Sequence, residues 1–112
     1  RDLNMVIETL KPSDPKLLAW AYRIQGYVLK RTIGPHPALE ATEHSIMLEP
    51  DNERSLYNGA CYSALVGQRE KWIKYLAQVT DKNPSLRKLA LSDGDFEGVR
   101  NDAEFRKLTG QG

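Results

Sequence analysis

The chain is poor in the residues from which catalytic and metal centres are usually built. Its 112 residues include one cysteine, Cys61, and two histidines, His36 and His44. A single cysteine excludes a disulfide within the chain, and these residues lack spacings such as H-E-x-x-H or C-x₂-C that are typical of zinc sites. Glycine-rich phosphate loops and the G-x-S-x-G nucleophile turn are also missing. We therefore expect a protein that is not an enzyme and that needs no metal and no cofactor.

Long apolar runs and an excess of one charge are missing as well. No run approaches the roughly 20 apolar residues that cross a bilayer, and the chain does not open with a signal-peptide pattern. The net charge is +1, and neither half has the strong basic excess of a nucleic-acid-binding surface. We expect a cytoplasmic protein that binds neither membranes nor nucleic acid. Because the chain begins with Arg1 inside a helical pattern, we interpret it as a fragment of a longer protein.

Apolar residues recur at helical spacing along the whole chain, and no segment alternates with a period of two. Asp14 followed by Pro15 predicts the start of one helix, and Gly67 predicts the end of another. One or two further short helical turns are expected around Phe96, Val99, Phe105 and Leu108. These patterns predict an all-α fold with helices at 2–10, 15–32, 38–48, 53–66, 69–81 and 85–91.

Landmarks in the sequence repeat at a fixed distance. Pro50 and Pro84 lie 34 residues apart, and the small residues Gly26 and Ala60 are separated by the same interval. A period of 34 residues is typical of a helix–turn–helix solenoid, in which each helix pair buries its apolar face against its neighbour. Small residues at the repeated position allow the two helices of a pair to approach closely. The period therefore predicts a short stack of helix pairs.

The two units also follow, without gaps, the signature W-x₂-L-G-x₂-Y, A-x₃-F and P. Those positions read Tyr22, Gln25, Gly26, Leu29, Ala38, Thr42 and Pro50 in the first unit, and Leu56, Gly59, Ala60, Ser63, Trp72, Leu76 and Pro84 in the second. On these residues, about 15–108 of the chain resembles the tetratricopeptide repeat family. The resemblance implies one domain, with a preceding helix at 1–12, repeats at 15–52 and 53–86, and a capping tail at 87–112.

The second unit departs from this signature. Trp72 takes a position that is normally small, so we expect the second helix pair to be splayed or to pack against something different. Gly59 weakens the first helix of that pair by roughly 0.5–1 kcal/mol relative to alanine. The segment from Asp95 to Leu108 is similar to the closing segment of bacterial arrays in this family, in which aromatic residues cover the open end of the stack. Trp20 and Tyr75 are interpreted as packing residues.

The resemblance implies that the first helix of each pair lines a concave groove. Arg23 and Asn58 coincide with positions that hold a peptide carboxylate in the chaperone-binding members, whereas Tyr27 stands where those members have Asn. The predicted function is a non-catalytic protein-interaction module that binds a peptide or a partner protein in this groove. A basic and aromatic groove suits an acidic or extended peptide, through charge-assisted hydrogen bonds and aromatic contact. The competing interpretation is that these are ordinary solvated side chains. The predicted binding residues are Arg23, Tyr27, Lys30, Arg54, Tyr57 and Asn58, with Cys61 exposed beside them.

Two other functions remain open from the sequence. Two repeats are fewer than the three or more that usually give independent stability, so the chain could be an assembly element that packs on another copy or on a larger array. Residues 93–104 also match the calcium-loop template D-x-[DN]-x-[DN]-G-x₅-E, apart from Glu97 at its fifth position. Arg100 places a positive charge within that loop, and a calcium site would leave the apolar residues of the tail unexplained.

Overall fold

The computed structural model describes residues 14–111, and this part of the chain contains helices and no strand, which confirms the all-α prediction. The predicted helix at 2–10 lies outside the described residues. None of the described helices has the length and apolarity needed to cross a bilayer. The elements are α1 (Pro15–Thr32), α2 (Pro35–Leu48), α3 (Glu53–Leu65), α4 (Arg69–Lys82), α5 (Leu86–Ser92), a 3₁₀ helix (Gly94–Val99) and α6 (Ala103–Leu108).

Local signals place most of the helix ends. The Asp14 carboxylate accepts the backbone N–H of Leu17 at 3.1 Å, and Pro15 opens α1 as predicted. Gly67 has φ 79° just beyond α3, a conformation that glycine adopts without a steric cost. The predicted start of the next helix at about residue 38 is wrong, because α2 begins at Pro35. Proline is tolerated throughout a first helical turn, where its missing N–H has no partner to lose.

Helices α1 and α2 pack closely at Gly26. A Cβ atom on this glycine would collide with Thr42 Oγ1 and would lie 3.0 Å from the carbonyl oxygen of Ala38, both on α2. Ala38 and Thr42 are fully buried. The predicted role of the small residue at position 26 is therefore confirmed.

Trp72 is almost fully buried, and its partner comes from the C-terminal tail. Its ring contacts Phe105 edge-on, with centroids 6.2 Å apart. The ring centroids of Phe105 and Phe96 are 5.3 Å apart. The rings of Phe96 and Tyr57 form a T-shaped pair, with centroids 5.9 Å apart. These four rings, Tyr57, Phe96, Phe105 and Trp72, form what we call the aromatic chain, which joins α3 to α4 through the tail. The prediction that Trp72 packs against something different is confirmed.

One prediction about an individual side chain needs correction. Trp20 was expected to pack, but it is 43% exposed. Gly59 gains a structural reason: a Cβ there would lie 2.9 Å from Ile46 Cδ1 and 3.1 Å from Tyr75 Cδ2. Its cost to the helix is offset by the close packing of α3 against α2 and α4.

Candidate functional site

A groove of about 520 Å³ opens between α1, α3 and α5. One wall comes from α1, the second from the first half of α3, and the third from α5, a helix of seven residues. The lining residues are Trp20, Arg23, Ile24, Tyr27, Glu53, Arg54, Tyr57, Asn58, Leu86 and Leu89.

The groove carries two guanidinium groups that are close enough to repel each other. Burial lowers the pKa of Arg23, and the nearby charge of Arg54 lowers it further. The negative charge of Glu49 acts in the opposite direction and raises the pKa of Arg23. Neither arginine forms an ion pair with any residue between 14 and 111. The one carboxylate in the lining, Glu53, accepts a hydrogen bond from Asn83 Nδ2 at 3.0 Å. The arrangement favours an anionic group between the two arginines.

Aromatic and aliphatic surface surrounds these charges. Trp20, Tyr27 and Leu89 are each close to half exposed, at 43%, 48% and 48%. The guanidinium of Arg31 lies 3.6 Å from the ring centroid of Tyr27, which covers one face of that ring with a third positive charge. Exposed large apolar side chains gathered in a concave surface are typical of interaction sites.

The groove brings together five of the six predicted binding residues. The exception is Lys30, which forms an ion pair of 3.1 Å with Asp95 of the 3₁₀ helix and does not line the groove. The sequence analysis missed the apolar part of the lining. Trp20 and Ile24 could have been found, because Leu17, Trp20, Ile24 and Tyr27 form a second stripe at helical spacing. The other missed residues are Glu53, Leu86 and Leu89.

Cys61 was predicted to be exposed in the groove, and this is wrong. It is 3% exposed and packs in the same apolar cluster as Phe96. Its thiol donates to Asp93 Oδ2 at 3.9 Å, and the hydroxyl of Tyr57 donates to the same oxygen at 2.8 Å. The tail therefore covers the second half of α3. The burial of Cys61 thus depends on contact with a segment more than thirty residues later in the chain.

The segment that matches the calcium-loop template is engaged within the chain. Cys61, Asp93 and Asp95 have their ligand atoms within 4.8 Å of one another. However, Asp93 binds Tyr57 and accepts the backbone N–H of Asp95 at 3.0 Å, while Asp95 binds Lys30. Residues 94–99 form a 3₁₀ helix. A cation would have to displace these contacts, so the calcium alternative gains no support from the geometry.

The buried thiol of Cys61 beside Asp93 predicts a loss of stability in alkali. Burial raises the pKa of the Cys61 thiol, and the charge of Asp93 raises it further. An unfolded thiol titrates at about pH 8.5. Because the folded protein holds the proton more tightly, this stabilisation is complete below that pH and is lost above it. We expect the free energy of unfolding, measured in urea, to be flat from pH 7 to 8 and to fall above pH 9.

The matched control for this pH series is Cys61→Ser, which keeps a hydrogen-bond donor but does not titrate in this range. Its free energy of unfolding should decline less steeply than that of the unmodified chain, by up to about 1.4 kcal/mol per pH unit. Equal slopes for the two proteins would contradict a raised thiol pKa. Tyr57, whose pKa is also raised by burial and by Cys61 and Asp93, contributes to the decline of both proteins.

Comparison of the chain with models of protein families, with curated proteins and with solved structures gave no match in any of the three.

Proposed function

We propose that the chain is a non-catalytic protein-interaction module that binds a segment of a partner protein in the groove between α1, α3 and α5. The observation that carries the proposal is the pair Arg23 and Arg54, two guanidinium groups without an ion-pair partner among residues 14–111. Tyr27 and Asn58 line the same groove and offer hydrogen-bonding groups beside them, and Tyr57 adds its ring to the lining. Aromatic residues and arginine are the types most enriched at the energetic centres of protein interfaces.

We further propose that the fold is a short tetratricopeptide-like solenoid, with 15–52 and 53–86 as its repeats and the tail as its cap. The packing of α1 on α2 and of α3 on α4 supports this arrangement. The close approach at Gly26 and the groove lining from α1 and α3 are also what the resemblance implies. The position of Phe96 and Phe105 over the second pair supports the capping role of 87–112.

The test replaces Arg23 and Arg54 together with glutamate. We expect this double variant to lose at least a hundredfold in affinity for its partner, because hydrogen bonds to charged groups contribute roughly 1.5–3 kcal/mol each. The partner is first trapped by a benzophenone side chain introduced at Tyr27, and its affinity is then measured by calorimetry. The same benzophenone at Met47, which is 76% exposed outside the groove, should trap nothing specific.

A charge-matched control separates groove contacts from general electrostatics. Arg106 and Lys107 are exposed neighbours on α6, and their replacement by glutamate changes the net charge by the same amount. This control should bind normally, and both double variants should keep the helical circular dichroism of the unmodified chain. Unchanged binding after substitution of Arg23 and Arg54 would reject the groove as the site.

The second candidate function is self-assembly, or closure of a larger array. The observation in its favour is the exposed apolar surface of α1, where Leu17, Trp20 and Val28 are each at least 40% exposed. The trapping experiment distinguishes the two functions, because a cross-linked product of twice the mass of the chain would identify a second copy as the occupant of the groove.

A further inference from the structure

The inner surface formed by α1 and α3 has a closed half and an open half. The open half is the groove, lined by Trp20 to Tyr27 on α1 and by Glu53 to Asn58 on α3. The closed half begins one turn further along both helices, at Lys30 and Cys61, where residues 93–96 of the tail lie on it. The two helices therefore run in the same direction. Among residues 14–111, the chain fills this continuous surface at one end and leaves the other end open.

The closed half shows which chemistry this surface accepts. Asp93 receives the hydroxyl of Tyr57 at 2.8 Å, and Asp95, two residues later, pairs with Lys30 at 3.1 Å. The next residue, Phe96, is fully buried, and its ring packs against that of Tyr57 in a T-shaped arrangement. The chain thus covers its own cationic and aromatic surface with two carboxylates spaced by one residue and a phenyl ring.

The open half presents the same kinds of groups, and within residues 14–111 no segment lies over them as the tail lies over the closed half. Arg23 and Arg54 supply the positive charge that Lys30 supplies in the closed half. Neither arginine forms an ion pair with a residue of the described chain. Tyr57 lies at the boundary between the two halves, and Tyr27 supplies in the open half a phenol ring like the one that Tyr57 supplies in the closed half. Ile24, Leu86 and Leu89 provide apolar lining of the kind that surrounds Phe96.

We infer that the open half binds an acidic–aromatic segment of a partner protein. In such a segment, two carboxylate side chains are separated by one residue, and a large apolar ring follows directly after the second. This inference rests on the proposed function and names its partner class. The carboxylates bind Arg23 and Arg54 by charge-assisted hydrogen bonds, and the ring packs among Trp20, Leu86 and Leu89. Such a segment needs no free C-terminal carboxylate, because side chains supply both anions.

The probe is the chain's own segment 92–98 as a synthetic peptide, Ser-Asp-Gly-Asp-Phe-Glu-Gly, with acetyl and amide ends that remove both terminal charges. It is titrated into the full ¹⁵N-labelled chain and followed by amide and indole chemical shifts. We expect saturable shifts at Trp20, Arg23, Tyr27 and Arg54. Replacing Arg23 and Arg54 with glutamate should weaken binding at least tenfold, whereas the control change of Arg106 and Lys107 should leave it unchanged.

Two altered peptides test the two halves of the recognition. Asparagine in place of both aspartates and alanine in place of phenylalanine should each weaken binding at least tenfold. The inference is overturned if no shift saturates at millimolar peptide, if the altered peptides bind equally well, or if the shifts fall at Lys30 and Cys61 because the peptide displaces the tail. If the trapped partner still depends on Arg23 and Arg54 while this peptide fails, the proposed function stands and the acidic–aromatic partner class falls.

Discussion

Replacement of Phe105 with alanine is expected to lower the free energy of unfolding by about 3–5 kcal/mol. Phe105 is fully buried and stands in the middle of the aromatic chain, between Trp72 and Phe96. Its removal leaves a cavity and also ends two ring contacts, each of which contributes roughly 0.5–1.5 kcal/mol beyond the buried area. The free energy of unfolding of a native protein is only about 5–15 kcal/mol. This one change should therefore remove a large part of the stability.

The measurement is urea denaturation followed by circular dichroism and by tryptophan emission. Since Trp72 loses its cover, the emission of the folded variant should shift towards longer wavelength. Leu65→Ala is the matched control, because Leu65 is 41% exposed and its truncation should cost well under 1 kcal/mol. A loss below 1 kcal/mol for the Phe105 variant would show that the tail does not stabilise the helix pairs.

The second large effect is expected from Gly26→Leu, with a loss on the order of 3 kcal/mol. The first atom of any side chain at this position already collides with Thr42 Oγ1, and the carbonyl oxygen of Ala38 is part of the α2 backbone and cannot rotate away. Helices α1 and α2 must therefore move apart. Because α1 forms one wall of the groove, partner binding should weaken along with stability.

Gly98→Leu is the matched control for this change. A Cβ atom at Gly98 meets nothing within 4 Å, and this glycine has no positive φ. Thermal melting followed by circular dichroism should give a much lower melting temperature for the Gly26 variant than for the Gly98 variant. The melting temperature of the Gly98 variant should be close to that of the unmodified chain. Similar melting temperatures for the two variants would mean that the loss reflects leucine in place of glycine rather than the contact between α1 and α2.

The sequence predicted what local chemistry decides and missed what distant contacts decide. The start of α1 follows from Asp14 and Pro15, which act within one helical turn. The burial of Cys61 could not be predicted in this way, because it depends on the tail folding back from residues 93–96. Likewise, the spacing of five predicted binding residues on α1 and α3 indicated that they share a groove. The third wall comes from Leu86 and Leu89, on a short helix whose sequence gave no reason to expect it there.

The aromatic chain also sets a delay during synthesis. Helices α1 to α4 are complete at Lys82, but Trp72 obtains its cover only when Phe105, about twenty residues later, has been added. At 5–20 residues per second, this takes roughly 1–4 s. During that interval the nascent chain presents Trp72 without the ring that covers it, and exposed apolar surface of this kind is prone to aggregation. The second helix pair therefore reaches its final packing only after Phe105 has been added to the chain.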